Sequence, residues 1–132
     1  MSTTVTIDVD GDRSPEYAME LGDAMYEAVR ALNHITMGSA TLPHASDVYR
    51  LLGELQAAAA GLPQLCAQIA SRLEKHHETG RLSEVPGGRY GGDTDAAVTA
   101  ALGALTQAQR HGRALQEALA AAHSATAGLE TQ

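Results

Sequence analysis

The stretch SDVYRLLGELQAAAAGLPQLCAQIASRL, residues 46–73, decides the fold. Val48, Leu52, Leu55, Ala59, Leu62, Cys66, Ile69 and Leu73 recur at alternating steps of four and three. That period lays one apolar stripe along a helix. Leu51, Ala58 and Leu65 widen it. Gly61-Leu62-Pro63 interrupts the run, and Pro63 cannot donate to the carbonyl of Ala59. The stripe continues in register past it, so the reading is one helix over 46–79, kinked near Pro63. Ser46 is placed to cap it, with Asp47 in the first turn.

Downstream, Val98, Ala101, Leu105, Ala108, Gly112, Leu115, Leu119 and Ala122 repeat the pattern, predicting a second long helix over 94–128. Residues 80–93 between the two are Gly-rich and read as a flexible linker. Two heptad-patterned helices of roughly 50 Å joined by one linker imply an antiparallel hairpin. Small residues such as Ala59, Ala108 and Gly112 let the backbones approach closely.

Upstream, Ser14, Pro15 and Glu16 form a helix start. Ala18, Leu21, Met25, Ala28, Leu32 and Ile35 follow as a stripe, predicting a shorter helix over 14–37. Residues 1–13 form the leading strand or tail. There Val5, Ile7 and Val9 alternate with polar residues and predict a short strand over Thr3–Asp10, ended by Asp10-Gly11. A lone strand needs a partner, such as its copy in another subunit. The expected fold is all-α: a long antiparallel helical hairpin with the shorter N-terminal helix packed on it, three-helix and bundle-like, in one domain over 1–132.

The chain has 132 residues, no Trp, no Phe, four Tyr and abundant Ala. Ala forms helices well but fills a core poorly. Such a hairpin buries little area per turn, which makes self-association a natural remedy and a homodimer the expected state. The net charge is −7, concentrated early, where Asp8, Asp10, Asp12, Glu16, Glu20, Asp23 and Glu27 face only Arg13 and Arg30 in number. This balance argues against binding nucleic acid or an anionic membrane surface. It suits a basic protein partner. A single Cys, Cys66, allows no internal disulfide. No apolar leader or membrane-length run is evident, so a cytoplasmic protein is expected.

Chemical motifs are weak. Asp8-Val9-Asp10-Gly11-Asp12 suggests a calcium loop, but Arg13 stands where that loop needs Gly and Met19 where it needs Glu. Gly87-Gly88-Arg89-Tyr90-Gly91-Gly92 lacks the Lys-Ser/Thr of a phosphate loop, and Asp93 and Asp95 flank the following helix. Arg89 and Tyr90 remain as a contact point at the hairpin tip. His34, His44, His76, His77, His111 and His123 include no pair with metal-ligand spacing. Cys66 falls on the apolar stripe and reads as a core residue. No catalytic residue, metal or cofactor is expected.

The runs Asp23-Ala24-Met25-Tyr26-Glu27-Ala28-Val29-Arg30-Ala31-Leu32-Asn33-His34, Asp47-Val48-Tyr49-Arg50-Leu51-Leu52-Gly53 and Leu62-Pro63-Gln64-Leu65 resemble small uncharacterised all-helical proteins of high-GC actinobacteria. The resemblance implies a cytoplasmic bacterial protein and carries over no activity. The hairpin is also similar to the small helical-hairpin substrates of type VII secretion. Those carry Trp-x-Gly at a tighter turn, and this chain has no Trp.

The reading that follows is a non-enzymatic protein–protein interaction or regulatory bundle. Leu52, Leu55, Leu62, Ile69, Leu105, Leu115 and Leu119 would carry its assembly. Glu16, Glu20, Asp23 and Glu27, or Arg89 and Tyr90, would dock a partner. A bundle holding a small ligand or cofactor between His or Tyr side chains is the alternative, and a type VII-like secreted hairpin the third.

Overall fold

A computed structural model describes residues 4–132, and it is all-helical. Helix α1 spans Pro15–Ile35, α2 Ala45–Glu78 and α3 Thr94–Thr126. The chain forms two compact units, one ending at Pro43 and the other running His44–Gln132.

In the first unit, α1 begins as its sequence dictates. The Ser14 hydroxyl accepts from Tyr17 N–H at 3.1 Å and donates to Asp12 Oδ2 at 2.8 Å, so the cap is itself held in place. The expected strand does not form among the described residues. Val5, Ile7 and Val9 do alternate, but no second strand supplies a ladder. Tyr17 takes that role instead: its hydroxyl donates to Thr6 O at 2.7 Å and accepts from Asp8 N–H at 3.0 Å. These two bonds tie the leading segment to the first turn of α1. Thr3 lies outside the described residues. At the far end the Thr36 hydroxyl closes α1 by bonding Leu32 O.

The second unit is the hairpin. Helix α2 is continuous for 34 residues with Pro63 inside it. Its N-cap is His44, two residues before the expected cap Ser46. The reason is Asp47, whose carboxylate reaches back to accept the His44 N–H at 3.1 Å. Four pairings fix the antiparallel arrangement. Ala45 N–H donates to Thr131 Oγ1 at 2.6 Å. Tyr49 stacks on His123 with ring centroids 4.1 Å apart. A Cβ on Gly112 would lie 3.3 Å from Pro63 Cγ. His77 Nε2 lies 2.8 Å from Asp95 Oδ1.

The seam is rotated from the stripe expected on α3. Gln109, Gln116 and His123 are half-buried against α2, whereas Ala108 and Leu115 are exposed. On α2, Tyr49, Gln56 and Pro63 are likewise half-buried beside Leu52, Ala59 and Cys66. The small side chains along both seams make this possible, because a polar stem can fill the space between two close helices with its head at the edge. The seam is thin as a result. Among the described residues only Ala59, 3% exposed, and Val98, 6% exposed, are buried hydrophobics.

Candidate functional site

Between the helices, residues 79–93 form a loop of hydrogen-bonded turns that joins α2 to α3. Gly80, at φ +69°, ends α2: its N–H bonds His77 O at 3.1 Å, and Arg81 N–H bonds His76 O at 3.0 Å. That pair of bonds is a Schellman stop. Three turns follow, closed by Gly88 N–H to Val85 O, Gly91 N–H to Gly88 O and Asp93 N–H to Tyr90 O. The last needs positive φ at both Gly91 (+64°) and Gly92 (+89°).

Glu84 organises these turns. Its Oε1 accepts from Tyr90 N–H and Gly92 N–H, each at 2.9 Å, and its own N–H donates to Thr94 Oγ1 at 2.9 Å. A Cβ at Gly88 would lie 2.8 Å from the Glu84 side chain, which would have to move to admit one. Asp93 then caps α3 by accepting from Ala96 N–H at 3.0 Å. Glu84→Ala removes two charge-assisted bonds and should cost about 2 kcal/mol of local stability. Hydrogen exchange should report it as faster exchange at the Tyr90 and Gly92 amides, with Glu84→Gln in between. Unchanged protection at those two amides would show that the loop is held by its turns alone.

The tip residues Arg89 and Tyr90 are both exposed, with the guanidinium 5.9 Å from the Tyr90 ring centroid. That is the outer limit of a cation–π contact. On α1, Glu16, Glu20, Asp23 and Glu27 are exposed along one edge, and Glu27 pairs with Arg30 at 3.0 Å. Of the residues expected to carry assembly, Leu52, Leu55, Leu62, Leu105 and Leu119 are half-buried in the hairpin. Ile69 and Leu115 are 50% and 49% exposed.

Those two exposures belong to a larger feature. Helix geometry places residues three, four and seven apart on one face. With the seam rotated as described, Val48, Leu55, Leu62 and Ile69 flank it on α2, and Leu51, Ala58 and Leu65 lie just beyond them. On α3, Ala101, Ala108, Leu115 and Ala122 flank the seam, with Ala97, Ala104, His111 and Ala118 beyond. Because the helices run antiparallel, both sets turn to the same side of the hairpin. Near the tip that side opens as a largely apolar groove lined by Leu73, Leu82, Ala97, Val98 and Ala101, with Ser83, Glu84 and Thr94 at the loop end. Neither set contains an Asp or Glu. The opposite side is polar, with Pro63 set among Gln64, Gln109, Arg113 and Gln116.

The titratable side chains do not converge. Among the described residues no group of three His, Cys, Asp or Glu is placed to hold a metal ion. His77 engages Asp95, and His123 lies against Tyr49 and Gly53. The Asp8 carboxylate of the calcium-like string accepts the backbone N–H of Asp10 at 3.0 Å. Cys66 is half-buried on the seam. Among the described residues no helix is long and apolar enough to cross a membrane.

Glu84 is not among the residues expected above, although a lone acid ahead of six residues containing four Gly is a visible signal. Leu51, Ala58 and Leu65, which widen the stripe in the sequence, form the edge of an open face in the structure. Comparison of the chain with protein-family models, with curated proteins and with solved structures finds no match.

Proposed function

We propose that this chain is a non-enzymatic helical protein that works by protein–protein contact and associates with itself as a homodimer. One observation carries the reading. The hairpin buries only Ala59 and Val98 among its hydrophobics, yet leaves Leu65, Ile69 and Leu115 about half exposed on one acid-free side. Burial of apolar area is the main source of stability, at roughly 25 cal/mol per Å². A pair of long helices with so thin a core gains most by covering that side.

The exposed Glu16, Glu20, Asp23 and Glu27 edge of α1 suits contact with a basic protein partner, and Arg89 and Tyr90 offer a second contact point at the loop. The single thiol, without a disulfide partner, fits a reducing cytoplasm. The resemblance to small actinobacterial helical proteins points the same way.

Light scattering on the full chain across a dilution series tests the reading. The expected mass is twice that of the chain and constant over the series. A monomer at every concentration would overturn self-association.

A further inference from the structure

We infer that the acid-free side of the hairpin is the dimer interface, and that α2 of each copy lies along α3 of its partner. The inference rests on the self-association proposed above and adds the surface and the arrangement.

The area is sufficient. Helices of 34 and 33 residues are each about 50 Å long. Two such helices side by side present a strip about 20 Å wide. Covering it removes roughly 1,000 Å² per copy, about what a stable dimer buries.

The chemistry favours a second copy over a charged partner. The helix rows of this side carry no carboxylate, and the one acid at its tip end, Glu84, is engaged by the Tyr90 and Gly92 N–H groups, so nothing along the helices recognises a basic protein. The side's only basic groups, His76, Arg72 and His111, lie at its ends and margin, too few to recognise an acidic one. An apolar surface without charge discriminates by shape.

The shape selects the arrangement. The α2 half of the side is high, built from Leu51, Leu55, Leu62, Leu65 and Ile69. The α3 half is low, with Ala97, Ala101, Ala104, Ala108, Ala118 and Ala122, broken by Leu115 and by His111 at its margin. Two twofold operations bring such sides face to face. An axis across the helices stacks α2 on α2, ridge against ridge, and leaves the alanine halves apart. An axis along the helices sets each leucine ridge on the partner's alanine floor, with all neighbouring helices antiparallel. Only the second fills both halves at interior packing density. It also accounts for the exception on α3. Pro63 lies against Gly112 and Tyr49 against His123 within one chain, which puts Leu115 level with residues 57–60, where Ala58 is the residue on this side. In the dimer, Leu115 then meets the partner's Ala58, a gap in the opposing ridge. By the same levels Leu65 lies nearest the partner's Ala108.

Cysteine pairing distinguishes the arrangements. In a Cys66→Ala background, chains carrying Leu65→Cys and chains carrying Ala108→Cys are co-expressed and treated with a short bismaleimide. The expected result is a covalent dimer joining one chain of each kind, and almost none from either chain alone. Ala58→Cys with Leu115→Cys forms the second pair, and circular dichroism confirms that each variant keeps its helices. Dimers joined Leu65→Cys to Leu65→Cys would keep the face and overturn the arrangement in favour of α2 on α2. Absence of any crosslink from either pair, in a protein that scatters light as a dimer, would overturn the face and leave self-association standing. A monomer by light scattering would overturn the proposed function itself.

Discussion

Val98→Asp unfolds the hairpin. Val98 is 6% exposed and stands one turn into α3, where the loop delivers the helix onto α2. Removing its side chain forfeits roughly 2 kcal/mol of apolar burial. The carboxylate that replaces it has no basic partner on α3 within a turn, and Asp95 lies three residues before it, so the new charge is both desolvated and repelled. The two effects together come to about 4 kcal/mol, against a stability of about 5–15 kcal/mol for an ordinary domain. A hairpin with two buried hydrophobics stands at the low end of that range. Far-UV ellipticity should fall to that of a largely unfolded chain at 37 °C. Val98→Ala, which loses only volume, should keep its helicity and melt a few degrees lower. A Val98→Asp protein that melts with the wild type would show that α3 is not held at this point.

Gly112→Leu should be the next most damaging change, for a steric reason. A Cβ at Gly112 already lies 3.3 Å from Pro63 Cγ and 3.5 Å from Pro63 Cδ. The proline ring is fused to the α2 backbone and cannot turn aside as a flexible side chain would. A leucine here forces the helices apart at mid-length, which costs about 2–3 kcal/mol. For a unit of this size each kcal/mol lowers Tm by about 4–8 °C, so a fall of about 10 °C or more is expected in a thermal melt. Gly112→Ala supplies the contrast. It gains about 1 kcal/mol of helix propensity while adding one tight contact, and should melt close to the wild type. If Leu and Ala at 112 melted alike, the helices would be separated enough there to admit either.

The hairpin was legible because its signal is long and repeated. Eight apolar positions on each helix keep step across residues 48–73 and 98–122, and Pro63 does not shift the phase. Ser14-Pro15-Glu16 was legible because capping is a local interaction between neighbouring residues. The rotation of the seam was not. When a helix offers Ala on several adjacent rows, turning it by one row changes the buried area little. The choice then rests on contacts made across the pair, such as Tyr49 with His123 and Pro63 with Gly112. The alternation of Val5, Ile7 and Val9 is real, but a strand is defined by a partner that no local pattern supplies. Glu84 escaped notice for a related cause. Its bonds to Tyr90 and Gly92 exist only after two glycines have taken positive φ. The acid-free side is a property of two helices at once, and becomes visible only when their antiparallel pairing is known.

The loop around Glu84 also sets an order of events for a chain that is still extended. The His77–Asp95 pair spans 18 residues, whereas Ala45 and Thr131 are separated by 86. Joining the ends of a segment costs about 0.6 kcal/mol for each doubling of its length. The cheapest first encounter is therefore at the tip, where the Schellman stop and the three turns have already reversed the chain. Each later pairing along α2 and α3 then encloses only a few more residues. The hairpin closes as a zip does, from one end, and Thr131 fastens to Ala45 last.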